Sequence, residues 1–379
     1  MNQADESRPL LALSANDGWG IVNYRRGLIG ALQAAGYRVA VLAPDGPHSA
    51  AIRAMGASTH ALPMAAKGRS PLGDLMVLGR YRRALKRLRP AAYLGFTIKP
   101  NIYGSIAAHS LQIPVINNIT GLGLTFERSG PLNRLVIALY RLALARSAKV
   151  FFQNRDDRSL FLERGLVRPD QGGLLPGSGV DLDFFQPAPA VEREAVTFLL
   201  ASRLLWAKGI AEYAEAARIL KKSRSDLQFR LAGPLDPPGA AGLAQSDLDR
   251  WAAQGLIEYR GSVADIREEL AEADCAVLPS YREGVPRILL EASAMGLPLV
   301  AADSVGCREA VVDEQTGVLC KAKDAASLAA AMLRVADMSA TERRAMGAAG
   351  RARVEREFSE TLVHRLYLDA LVEIGAKAP

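Results

Sequence analysis

The chain has 379 residues, 49% of them hydrophobic, with a formal net charge of +7. Its length suits two domains. Three cysteines (Cys275, Cys307, Cys320) are too few for a disulfide framework, and the four histidines (His48, His60, His109, His364) lack ligand spacing, which argues against a disulfide-stapled module and a histidine-built metal centre. The charge is uneven: residues 1–189 carry +11 and the remainder −4. Asp5, Glu6 and Pro9 near the start do not read as an export signal, and the best apolar stretch, 132–145, is interrupted by Arg134 and Arg141. A cytoplasmic location is expected.

In chain order, Leu10–Ser14 reads as a first strand, followed by the loop Asn16-Asp17-Gly18-Trp19-Gly20 and a helix over 22–35 stopped by Gly36. Strands are expected at 39–43, 92–96, 114–119 and 149–153, with helices at 72–88, 101–109 and 132–146 between them. This alternation predicts a parallel sheet with helices on both faces. Proline and glycine over 176–189 mark a linker.

A second series follows. Strands are expected at 196–202, 229–232, 256–259, 275–278, 299–302 and 316–319, with helices from Gly209 to about Lys221 and over 325–336, 341–357 and 361–374. The expected architecture is α/β, two facing Rossmann-like domains with a deep interdomain cleft. An N-terminal domain would span 1–185 and a C-terminal one 190–357, with 358–379 a helix packing back on the first. Ligands of open α/β sheets bind outside the carboxyl ends of strands, so the loops after Leu13, Phe96, Ile119, Ser202, Ala232 and Leu278 are candidates.

Cys275 to Ala302 is the most informative stretch. A buried strand leads into the loop Pro279–Gly284, Pro286 is expected as the first residue of a helix, and Gly296 and Pro298 close it. Glu283 stands on the loop and Glu291 on the helix. The Glu291 position lies in an apolar run, so burial with a partner is expected. Arg203 and Lys208 flank another strand-to-helix loop; an arginine grips a diphosphate bidentately and a lysine adds a point charge. Carboxylates beside an anion site suit a ligand with hydroxyls next to phosphates, as in a nucleotide-sugar.

Ser202-Arg203…Lys208-Gly209 and Pro279-Ser-Tyr-Arg-Glu-Gly-Val-Pro…Glu291-Ala-x-Ala-Met-Gly-Leu-Pro resemble the retaining glycosyltransferases of family 4, which have the GT-B fold. Lys99-Pro-Asn-Ile-Tyr-Gly and Thr120-Gly-Leu-Gly are similar to a narrower bacterial group, the N-acetylgalactosaminyltransferase type that extends polyprenyl-diphosphate-linked sugars. The resemblance implies a metal-independent hexosyl- or N-acetylhexosaminyltransferase with a UDP-sugar donor and no cofactor, acting in cell-surface glycan assembly. It implies that Arg203 and Lys208 hold the donor diphosphate, Glu283 the sugar and Glu291 the ribose. Gly284 and Val285 would add backbone N–H groups, Gly233 would line the nucleotide site, and Gly18 and Gly20 would admit the diphosphate. Arg25, Lys99 and Thr120 would meet the acceptor. A histidine that relatives carry is replaced here by Asn117-Asn118-Ile119-Thr120, and His109 is expected mid-helix in a structural role.

Asp181-Leu-Asp183 and Asp247-Leu-Asp249 imitate a metal-binding D-x-D motif and read as chance. The basic helices 72–89 and 132–146 suit an anionic membrane surface, which places the protein as peripheral at the inner face of the cell membrane. Nucleic acid is disfavoured because no aromatics interleave with the cations. Two other readings stay open: a nucleotide-sugar epimerase on the same scaffold, and a non-catalytic membrane-surface or nucleic-acid binder. Replacing Glu283 or Lys208 by Ala is expected to abolish transfer with little change in thermal unfolding.

Overall fold

Runs of Val, Leu, Ala and Phe too apolar to face water on either side become the central strands of two parallel sheets. The structure is a computed structural model, and it describes residues 8–64, 71–122, 130–189, 195–235 and 241–376. Asp5, Glu6 and Gly123, which figured in the expectations above, lie outside these residues. The chain divides into two compact units, 1–178 with 360–379, and 179–359.

In the first unit the strands are β1 (Leu10–Ser14), β2 (Arg38–Ala43), β3 (Ser58–Ala61), β4 (Ala92–Gly95), β5 (Val115–Ile119), β6 (Lys149–Phe152) and β7 (Gly172–Leu174). Their order across the sheet is β3-β2-β1-β4-β5-β6-β7, all parallel. The order reverses between β1 and β4, the switch point at which open α/β sheets bind ligands. Leu11, Leu13, Ile29, Leu32 and Leu94 are fully buried, each worth about 1.5–3 kcal/mol of transfer free energy. The last helix, Glu360–Glu373, belongs to this unit and buries Val363, Tyr367 and Leu371 in the same core as Leu28 and Ile29.

The expected helix over 22–35 is two helices, Gly18–Tyr24 and Arg26–Ala34, broken at Arg25 (φ −130°). Asp17 starts the first by accepting from Gly20 N at 2.7 Å. Gly18 and Gly20 are therefore helical rather than members of an open loop. The expected helix 101–109 is a π-turn, Pro100–Gly104, running into Ser105–His109, so His109 ends the helix rather than sitting inside it. Helices Pro71–Leu88 and Pro131–Leu144 stand where the basic ones were expected.

In the second unit the strands are β8 (Val196–Ala201), β9 (Leu227–Ala232), β10 (Glu258–Tyr259), β11 (Cys275–Leu278), β12 (Leu299–Ala302) and β13 (Gly317–Cys320). The order is β10-β9-β8-β11-β12-β13, again parallel, with the switch point between β8 and β11. Val180 N donates to Phe358 O at 2.9 Å, so the two ends of this unit lie side by side. Several short elements escaped the sequence: helices Ser49–Ala54, Arg155–Glu163, Gln245–Ala253, Ile266–Ala271 and Cys307–Ala310, and strands β3 and β7. Each is too short or too polar to show an apolar period. Among the described residues no helix is long and apolar enough to cross a membrane.

Candidate active site

The two loops singled out in the second unit come from β8 and β11, neighbours at its switch point. After β8 the chain runs through Ser202 and Arg203 to a 3-10 turn, Trp206–Lys208, and Gly209 opens helix Ile210–Leu220. After β11, Tyr281 N donates to Ala207 O at 3.0 Å, and Ser280 Oγ lies 3.2 Å from the same oxygen. One carbonyl thus sews the two loops together.

That seam brings Lys208 to Glu283. The Lys208 ammonium donates to Glu283 Oε1, and Ser280 Oγ donates to the same oxygen at 2.6 Å. The two side chains are 19% and 15% exposed, so the pair is partly desolvated and stronger than a surface ion pair. Arg203 is not part of it: its side chain is exposed, and among the described residues its guanidinium has no hydrogen-bonded partner.

The Glu283 backbone is fixed from a third loop, after β12. Glu283 N donates to Val305 O at 2.9 Å, and Ser304 Oγ donates to Ser280 O at 2.7 Å. Gly306 has φ +87°, and a Cβ there would lie 2.2 Å from Gly284 O. Only glycine lets this loop press against the Glu283–Gly284 backbone. Gly233, at the end of β9, is held the same way: φ is +137° and a Cβ would lie 1.8 Å from Ser202 O. Gly284 and Val285 are buried beneath the loop.

Helix Arg287–Ala294 follows, with Pro286 as its extended N-cap (φ −71°, ψ 116°) rather than its first helical residue. Glu291 lies one turn along, its side chain 13% exposed, and accepts from Arg287 Nε at 2.7 Å. Burial pushes the Glu291 carboxyl above its usual range, and the Arg287 guanidinium opposes that shift. Tyr281 Oη donates to Glu212 Oε1 at 2.7 Å and Lys323 Nζ stands 4.9 Å from its ring. Ser280, Glu212, Ser304 and Gly306 were missed by sequence reasoning. Only Gly306 carried a signal, as a glycine just before the Cys307–Ala310 turn.

In the first unit Arg25 is buried, with its guanidinium 4.5 Å from the Phe96 ring. Thr120 Oγ1 donates to Phe96 O at 3.3 Å, so these two acceptor-side candidates meet on Phe96. Lys99 lies apart from them on Asp74, at 3.1 Å. Asn117 and Asn118 lie inside β5, within the stretch expected as a strand. Asn117 Nδ2 donates to Asn101 Oδ1 and Ser105 Oγ, and Asn118 Nδ2 to Tyr367 Oη at 2.7 Å. They are buried structural amides. His109 pairs with Ala143 O at 2.9 Å, and burial lowers its pKa. Both D-x-D stretches have local work: Asp181 accepts from Asp183 N and Phe184 N, and Asp247 pairs with Arg250.

Comparison with known proteins finds matches over both units. Residues 20–176 match the model of the glycosyl transferase 4-like domain, and residues 195–338 that of glycosyl transferases group 1. The chain is 28% identical over 329 residues (82% of this chain, 85% of the relative) to the N,N'-diacetylbacillosaminyl-diphospho-undecaprenol alpha-1,3-N-acetylgalactosaminyltransferase of Campylobacter jejuni. It is 24% identical over 290 residues (73% and 74%) to the UDP-Gal:alpha-D-GlcNAc-diphosphoundecaprenol alpha-1,3-galactosyltransferase of Escherichia coli. Among solved structures, Anabaena Alr3699/HepE in complex with UDP-glucose shares the fold with a TM-score of 0.78 at 18% identity, covering 96% of this chain and all of that one. The two matched domains and the shared fold lead to one conclusion: the chain belongs to the GT-B glycosyltransferases, as a family 4-type enzyme.

Proposed function

We propose that the enzyme moves a hexosyl or N-acetylhexosaminyl group from a UDP-sugar to a polyprenyl-diphosphate-linked saccharide, with retention at the anomeric carbon. The observation that carries this reading is the Lys208–Glu283 pair at the switch point of the second unit. Support also comes from the two relatives above, which by name act on diphosphoundecaprenol-linked sugars, and from a fold neighbour solved with UDP-glucose.

In this reading the second unit takes the donor. Arg203, exposed and unpartnered among the described residues, and Lys208 hold the diphosphate. Glu283 takes sugar hydroxyls and Glu291 the ribose, with N–H groups of Gly284 and Val285 beside the phosphates and Gly233 along the nucleotide. The C1–O bond to the β-phosphate breaks and its electron pair stays on the diphosphate. The acceptor oxygen bonds C1 on the same face, and its proton passes to the departing phosphate oxygen. Negative charge grows on the diphosphate, so a lost cationic donor costs roughly 3–4 kcal/mol of transition-state stabilisation. The carboxylates and cations supply what this path requires, without a metal ion or further cofactor.

The first unit takes the acceptor, with Arg25, Lys99 and Thr120 toward its diphosphate end and Gly18 and Gly20 near the switch point. Helices Pro71–Leu88 and Pro131–Leu144 hold the enzyme at the inner face of the cytoplasmic membrane. They expose Leu72, Leu75, Met76, Leu135 and Leu142 beside Arg83 and Lys86, the mixture that binds an anionic interface. Thermal shift over a panel of UDP-, GDP- and ADP-sugars tests the donor side. A UDP-sugar is expected to raise Tm in the wild type and not in Lys208→Ala; a panel in which only GDP- or ADP-sugars act would overturn it.

A further inference from the structure

We infer that Trp19 and Tyr24 form an aromatic subsite on the first unit that holds one pyranose ring of the acceptor saccharide; this rests on the transferase reading above. Of the three tryptophans in the chain Trp19 is the exposed one, at 44%, whereas Trp206 is half-buried and Trp251 buried. Of the ten tyrosines only Tyr24 is exposed, at 37%. These two rings touch each other, 5.2 Å between centroids at 89°. They make a right-angled corner on the seven-residue helix that follows β1.

The corner stands where this sheet binds ligands. β1 lies beside β4, at the switch point of the first unit, and the helix begins at Gly18, four positions beyond Ser14. Its backbone is held before any ligand arrives. Asp17 caps Gly20 N, fully buried Ile21 anchors the inner face, Arg25 N donates to Ile21 O at 3.0 Å, and the Arg25 guanidinium lies 4.5 Å from the Phe96 ring centroid. A rigid corner loses little entropy on binding.

The ligand class follows from the chemistry. The C–H face of a pyranose packs on an aromatic face, and its rim hydroxyls meet the indole N–H, the phenol and the Asn23 amide. The segment Gly18–Tyr24 contains no charged residue, so a neutral polyol fits it better than an anionic bilayer, which would choose the basic helices.

The test uses the full chain and two readouts. Saturation-transfer NMR with methyl glycosides of N-acetylglucosamine, N-acetylgalactosamine and galactose, with no nucleotide or lipid present, is expected to give signal from at least one glycoside. That signal should fall about fivefold or more in Trp19→Ala and Tyr24→Ala and persist in Trp19→Phe, with Tm unchanged. In turnover, Trp19→Ala should raise the acceptor KM about tenfold while kcat falls less than threefold. No glycoside signal in the wild type, equal signal in Trp19→Ala, or a loss of vesicle binding in place of saccharide binding would overturn the subsite. Absence of transfer from every donor with the NMR pattern intact would instead sink the transferase reading alone.

Discussion

Lys208 and Ser280 donate to the same oxygen of Glu283, so the donor-side carboxylate is held in place by two loops that are far apart in sequence. Truncating Glu283 leaves the Lys208 ammonium partly buried without its carboxylate, and truncating Lys208 leaves the Glu283 carboxylate partly buried without its cation. Lys208→Ala and Glu283→Ala should therefore each cost about 1–3 kcal/mol of stability as well as activity, where the sequence alone suggested intact unfolding. The double variant should be less destabilised than the sum of the singles, as read by urea midpoints; strict additivity would mean the pair carries no coupling.

Gly306 is a second sensitive point, outside the residues expected to touch substrate. Gly306→Ala puts a Cβ against Gly284 O and forces a positive φ on alanine. A loss of about 2 kcal/mol or more is expected, together with a raised donor KM, because the Glu283 loop must shift. Wild-type kinetics in that variant would show that the loop after β12 does not set Glu283.

The cysteines predict an alkaline limit. Cys275, Cys307 and Cys320 are buried, and burial pushes the Cys307 and Cys320 thiols up to about 12. The folded state keeps those protons after the unfolded chain has lost them at about pH 8.5. Their contribution to stability is complete below that pH and is lost as pH rises from there towards 12. Tm should fall between pH 8.5 and 10.5, less steeply in Cys307→Ala. A thiol reagent at pH 8 should label the native protein slowly and all three sites after unfolding.

Membrane attachment is expected to depend on charge and on apolar side chains together. Arg83→Glu with Lys86→Glu should weaken sedimentation with anionic vesicles about tenfold or more at low salt, and Leu135→Ser with Leu142→Ser should weaken it with less change in salt dependence. Equal binding to neutral and anionic vesicles would refute the basic-helix attachment.

Much of this was legible in the sequence because parallel strands are continuous apolar runs bounded by glycine and proline. Both sheets, the Pro279–Gly284 loop and the apolar surroundings of Glu291 came from that pattern. What escaped has a common cause. The strand that carries Asn117 and Asn118 was expected, but not what their side chains do: Asn117 Nδ2 donates to Asn101 and Ser105, and Asn118 Nδ2 to Tyr367, partners that sequence does not reveal. The break falls at Arg25, whose guanidinium lies 4.5 Å from the ring centroid of Phe96, a contact 71 positions away along the chain. Ser280, Ser304 and Gly306 matter through backbone contacts between loops, which leave no periodic trace.

The most direct measurement is transfer of label from UDP-sugars into the lipid phase, with a polyprenyl-diphosphate-linked saccharide as acceptor and the anomeric configuration of the product read by NMR. The account predicts transfer from at least one α-linked UDP-sugar into an α-linked product, falling to about 1% or less in Lys208→Ala. Full transfer by Lys208→Ala, or a product of inverted configuration, would contradict it.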